Sequence, residues 1–139
     1  MNTAISQPIY QEAMSLNRAI QKLTKGYHSN GTFNLAYKIK DNAINVCNDL
    51  DQGVAARFDH TFEQYYKGAL QQLNLMLEHI RIANAARMLR GGFPQELIDR
   101  IQLLRMKIIL MLELFQSQVP LDYITLTSWA KQKLAHRMS

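Results

Sequence analysis

Little in this chain interrupts it or equips it for chemistry. Among 139 residues there are three prolines, six glycines and one cysteine. The lone Cys47 rules out an internal disulfide and any zinc site built on paired cysteines, and a reducing cytoplasm is the expected compartment. No run of about 18 apolar residues occurs, so no membrane span is expected. The opening MNTAISQPIYQEAM lacks the basic start and apolar centre of a signal peptide. There is no Gly-x-x-x-x-Gly-Lys phosphate loop and no Gly-x-Ser-x-Gly turn. Glu-x-x-His, which di-iron bundles place on facing helices, is absent too. His60 and Glu63 give the reverse order once. Glu78 and His79 are adjacent, about 100° apart on a helix, and so poorly placed to share a metal. No catalytic residue, metal or cofactor is assigned.

What is present is helical periodicity. The stretch from Asp59 to Arg90 holds no proline and one interior glycine, Gly68. Phe62, Tyr65, Tyr66, Ala69, Leu73, Met76, Leu77, Ile80 and Ala83 fall in one stripe at helical spacing. This is the expected longest helix, with Asp59 as N-cap and Gly91-Gly92 as its stop. A first helix is predicted from about Pro8 to just before Gly26, after a frayed start over residues 1–7. Its inner side is Tyr10, Ala13, Met14, Asn17, Ile20 and Leu23. A second runs from Thr32 or Phe33 to Leu50, with Leu35, Ile39, Ala43, Val46 and Leu50 on one face and Cys47 as a small packing residue. Gly53 is the expected positive-φ residue behind it. Pro94 opens a fourth helix that reaches about Gln118, and a short terminal helix is expected over Thr125–His136.

The fourth helix carries two apolar stripes. Leu97, Ile101, Leu104, Ile108, Leu112 and Phe115 form one, and Leu103, Met106, Leu110 and Leu114 form the other. A helix on the rim of a monomeric bundle needs one. Either this helix is sandwiched within its own chain, or the second stripe is a subunit interface; the interface is the favoured reading, because long exposed apolar patches are unusual on monomers. The short connections favour an all-α, antiparallel, up-down-up-down four-helix bundle. One domain fills residues 1–139, with its core at about 8–118 and a C-terminal extension at 119–139.

Lys and Arg together number 16 against 11 Asp and Glu, a formal net charge of +5 with a pI near 9.5. Such an excess permits a polyanionic partner. Residues 81–107 contribute Arg81, Arg87, Arg90, Arg100, Arg105 and Lys107 against Glu96 and Asp99. The tail adds Lys131, Lys133 and Arg137 against Asp122. Charges at helix C-termini complement the dipole, which accounts for Arg87 and Arg90 but not for Arg100 near the start of the fourth helix.

The order of these features resembles the small four-helix-bundle proteins encoded in intervening sequences of bacterial ribosomal RNA genes, and their relatives, the accessory variability determinant (Avd) proteins of diversity-generating retroelements. Leu35, Ile39, Ala43 and Gly53 match the second-helix pattern of that family outright. Lys40, Val46, Leu50 and Gln52 are conservative changes, and Asp41 and Asp49 depart from it. Phe62, Tyr65, Tyr66, Ala69, Leu73 and Leu77 fit its long helix, and Glu96 through Leu112 approximate its last. The likeness spans roughly residues 10–118.

The resemblance implies a non-enzymatic, basic, barrel-like homopentamer of four-helix bundles. It implies binding to a reverse transcriptase and to RNA or DNA, in support of mutagenic copying of a template RNA into complementary DNA. Under that reading, nucleic acid meets Arg81, Arg87, Arg90, Arg100, Arg105, Lys107, Lys131, Lys133 and Arg137, and subunits meet at Leu103, Met106, Leu110 and Leu114. The alternative is a structural or protein-interaction oligomer of the intervening-sequence type, with no nucleic-acid role.

Overall fold

A computed structural model describes residues 3–25, 30–55, 60–87, 91–117 and 135, the side chains of 3–6 and 30–34 excepted. Four helices make up the described part of the chain: α1 (Thr3–Thr24), α2 (Asn30–Ala55), α3 (His60–Ala85) and α4 (Gln95–Gln116). Each packs on two others. α1 lies against α2 and α4, and α3 lies against α2 and α4, so the helices close into a ring around one core. The terminal helix expected over Thr125–His136 falls outside the described residues apart from position 135, as does Asp59.

The apolar stripe of α3 packs as its spacing requires. Phe62, Tyr66, Ala69, Leu73, Met76, Ile80 and Ala83 are buried, with Tyr65 and Leu77 half-buried at its margins. Tyr66 stacks on Phe62 with ring centroids 4.2 Å apart, and Phe62 meets Phe115 of α4 at 5.7 Å. On α2, Ile39, Ala43, Val46, Cys47 and Leu50 enter the core. On α1 the core side is turned from the expected one. Ile9 and Leu16 are buried beside Ala13 and Ile20, while Tyr10, Met14 and Leu23 pack at the edge.

Several expected boundaries move. α1 begins at Thr3, so Pro8 lies inside it. Pro8 is past the four N–H groups that a helix start leaves free, so its missing N–H forgoes one bond within the second turn. α2 starts at Asn30 and continues through Gly53 to Ala55, so Gly53 is not the left-handed terminator that its place after Leu50 suggested. α3 is therefore no longer than α2; both have 26 residues. α3 also ends at Ala85 rather than Arg90, because Arg87 turns to φ 53° and its N–H donates to the Asn84 carbonyl. Gly91 and Gly92, at φ 76° and 78°, then shape the connection into α4. The Asn84 side-chain oxygen accepts the Phe93 N–H at 2.9 Å and ties the turn to the end of α3.

Gly53 serves packing. A Cβ there would stand 2.7 Å from Cε1 and 2.9 Å from Cδ1 of the Tyr66 ring, so the absence of a side chain lets α2 and α3 approach. Higher on the same seam, buried Asn42 donates from Nδ2 to Gln72 Oε1 at 2.9 Å, and its Oδ1 pairs with His79 Nδ1 at 2.8 Å. Asn45 Nδ2 also reaches Gln72 Oε1, at 3.4 Å. Since Asn42 Oδ1 can only accept, His79 Nδ1 carries the proton in this bond. These polar bonds specify one α2/α3 register in a seam that apolar contacts alone would leave free to slide.

Candidate nucleic-acid interface

The basic residues singled out on α3 and α4 differ in how far they are free to meet a phosphate. Arg81 is exposed but gripped by Glu78 one turn earlier: its Nε donates to Oε2 at 3.0 Å and its Nη2 to Oε1. That bond holds the Glu78 carboxyl below its usual range and raises the Arg81 guanidinium. Lys107 projects from α4 to α1 and donates to both oxygens of Glu12, at 2.8 and 2.9 Å. For these two, a phosphate must compete with a carboxylate already in place.

Arg100 and Arg105 are held differently. Arg100 Nη2 donates to Ser15 Oγ of α1 at 3.1 Å, and Arg105 Nε donates to Asn74 Oδ1 of α3 at 2.6 Å. Both partners are neutral, so the positive charge is oriented and not cancelled. Arg87 is exposed in the turn after α3. Arg90, Lys131, Lys133 and Arg137 lie outside the described residues.

The α4 residues proposed as a subunit interface divide as well. Leu110 and Leu114 are each 1% exposed within the single chain, so they are packed before any second copy arrives. Leu103 and Met106 are half-buried. Met106 lines a shallow groove between α3 and α4 with Asn74, Leu77, Gln102, Arg105 and Ile109. The sandwiched-helix alternative accounts for the lower half of the stripe; a contact between copies has only its upper half to use.

Cys47 behaves as a packing residue. It is buried, and desolvation pushes its thiol up to about 11 despite the nearby Arg18 charge. Among the described residues, no group of three or more His, Cys, Asp or Glu is placed to hold a metal. No helix of the described residues is long and apolar enough to cross a membrane.

Reading charge only over residues 81–107 and the tail misses the largest imbalance. From Ala13 to Lys40 there is no Asp or Glu, while Arg18, Lys22, Lys25, Lys38 and Lys40 are all basic. The signal is plain in the sequence once acidic residues are tracked as closely as basic ones. No protein-family model, curated protein or solved structure matches the chain.

Proposed function

We propose that this protein is a non-enzymatic nucleic-acid-binding accessory subunit, an antiparallel up-down-up-down bundle that works as a cytoplasmic homo-oligomer. On the resemblance to the Avd proteins, its assembly is a homopentamer, its partner a reverse transcriptase, and its task the support of mutagenic complementary-DNA synthesis on a template RNA. The antiparallel arrangement draws support from the descending order of contacts: Asn42 meets His79, Asn45 meets Gln72, and Gly53 approaches Tyr66. The same reversal holds where Ser15 meets Arg100 and Glu12 meets Lys107.

The observation that carries the nucleic-acid reading is the placement of Arg87, Arg100 and Arg105 at the surface of the bundle, with no carboxylate bound to them among the described residues, in a chain whose formal net charge is +5. An array of that kind meets phosphates without reading bases. A ring of copies would repeat it and turn a modest charge per chain into a multivalent surface.

The structural-module reading has its own support, since Arg81 and Lys107 are paired with carboxylates of their own chain. Fluorescence anisotropy with labelled RNA and DNA of unrelated sequence separates the two. The nucleic-acid reading expects binding at low salt that is indifferent to sequence and weakens steeply as salt rises. No binding to any of them would leave the structural module as the better account.

A further inference from the structure

The acid-free run from Ala13 to Lys40 carries a charge equal to the formal net charge of the whole chain, +5. Its described part occupies the last turns of α1 and the first half of α2. Arg18, Lys22 and Lys25 stand at i, i+4 and i+7, which places them on one ridge of α1. The Lys25 N–H donates to the Gln21 carbonyl at 3.2 Å, so helical spacing holds to the end of that ridge. All three side chains are exposed, over a length of about 10 Å at 1.5 Å per residue. Gln21 Nε2 reaches the Lys40 carbonyl at 3.4 Å and brings α2 alongside. Lys38 is exposed on the flank nearer α3, where its charge helps to lower His79.

Among the described residues, none of these five cations takes part in an ion pair; the ion pairs belong to Lys67, Arg81 and Lys107. The carboxylates bordering the run do not neutralise it. Glu12 is engaged by Lys107, and Asp41, exposed one turn after Lys38 on the same side of α2, makes no ion pair with it among the described residues. Like charges at i, i+4 destabilise a helix, and among the described residues no ion pair offsets them here. The helix dipole favours Lys22 in the last turn of α1 and Lys25 just beyond it. It does not reach Arg18, nor Lys38 and Lys40 in the interior of α2.

We infer that the α1 ridge of Arg18, Lys22 and Lys25, continued by Lys38 and Lys40 of α2, is the surface that binds the phosphodiester backbone of a single-stranded nucleic acid. This rests on the nucleic-acid reading above and moves its centre from α3 and α4 to α1 and α2. Tyr37, 58% exposed and adjacent to Lys38, offers a flat face on which an unpaired base stacks. An anionic bilayer is a poorer fit. The apolar side of α1, with Ile9, Ala13, Leu16 and Ile20, is spent in the core and leaves nothing to insert between lipids.

The test compares three proteins by anisotropy on labelled oligo(U), oligo(dT) and a DNA duplex, and by flotation with phosphatidylserine vesicles. They are the parent, an Arg18→Gln/Lys22→Gln/Lys25→Gln variant, and an Arg87→Gln/Arg100→Gln/Arg105→Gln variant. Losing three phosphate contacts should flatten the slope of log affinity against log salt by about 2, which is roughly a hundredfold loss at 0.1 M salt. The α3/α4 variant should lose less, and the single strands should bind more tightly than the duplex. If the α1 variant binds like the parent while the α3/α4 variant loses affinity, this inference fails and the nucleic-acid reading stands. A parent that binds no nucleic acid, or only the vesicles, overturns both. Should the α1 variant melt early, a Tyr37→Ala/Lys38→Gln variant reads the same surface from α2, and parent-like single-strand binding by it counts against the inference.

Discussion

Gly53→Ala sets two opposed effects against each other at one position. Replacing glycine by alanine inside a helix stabilises it by about 1 kcal/mol, because alanine loses less backbone entropy. The new Cβ would sit 2.7 Å from Tyr66 Cε1, closer than carbon atoms tolerate. The ring has no room to yield: Tyr66 is fully buried and stacked on Phe62. Overpacking a filled core costs about 1–3 kcal/mol. The net expectation is a loss of about 0–2 kcal/mol on combining the two. Gly68→Ala is the internal control. Its Cβ would meet the Asp49 carboxylate at 2.9 Å, but that side chain is half-buried and free to turn toward solvent. Helix propensity should then prevail, leaving Gly68→Ala as stable as the parent or slightly more so. Urea unfolding followed by circular dichroism measures both at fixed protein concentration. If Gly53→Ala is as stable as Gly68→Ala, the claim that Gly53 sets the distance between α2 and α3 is wrong.

Three further outcomes follow from the same seam and from α4. Asn42→Ala strips partners from Gln72 and His79 together and should cost about 1–3 kcal/mol in the same unfolding assay; an unchanged midpoint would mean that water replaces the amide without penalty. Burial and Lys38 hold the His79 pKa below its ordinary value, so between that lowered value and about 6.5 the unfolded chain binds more protons at this site. His79 should therefore favour the fold fully above that window and less as pH falls through it, and His79→Gln should show a flatter stability profile there; parallel profiles would remove the assignment. Met106→Glu should part an oligomer while keeping helix content, as read by light scattering and circular dichroism. A charge at Leu110 would instead unfold the protomer, because that side chain is already buried in one chain, and a monomeric parent would end the subunit-interface reading.

Local periodicity determined much of this molecule. The α3 stripe from Phe62 to Ala83 and the first α4 stripe from Leu97 to Leu112 are buried as their spacing requires, since an apolar face 3.6 residues in period has to find cover. The turn at Gly91-Gly92 and the start of α4 after Pro94 were legible for the same reason, being set by backbone chemistry within a few residues. The uncompensated charge of residues 13–40 is also written in the sequence alone. Tertiary structure decided what depends on distant neighbours. Gly53 looks like a helix stop until Tyr66 is seen against it. Lys107 looks like a free cation until Glu12, 95 residues away, is found beside it. Leu110 and Leu114 look like an exposed second stripe until the chain closes over them. In each case residue type and spacing are the same in either role, and only the side chain's neighbour in space, which sequence order does not encode, separates a packing contact from an open surface.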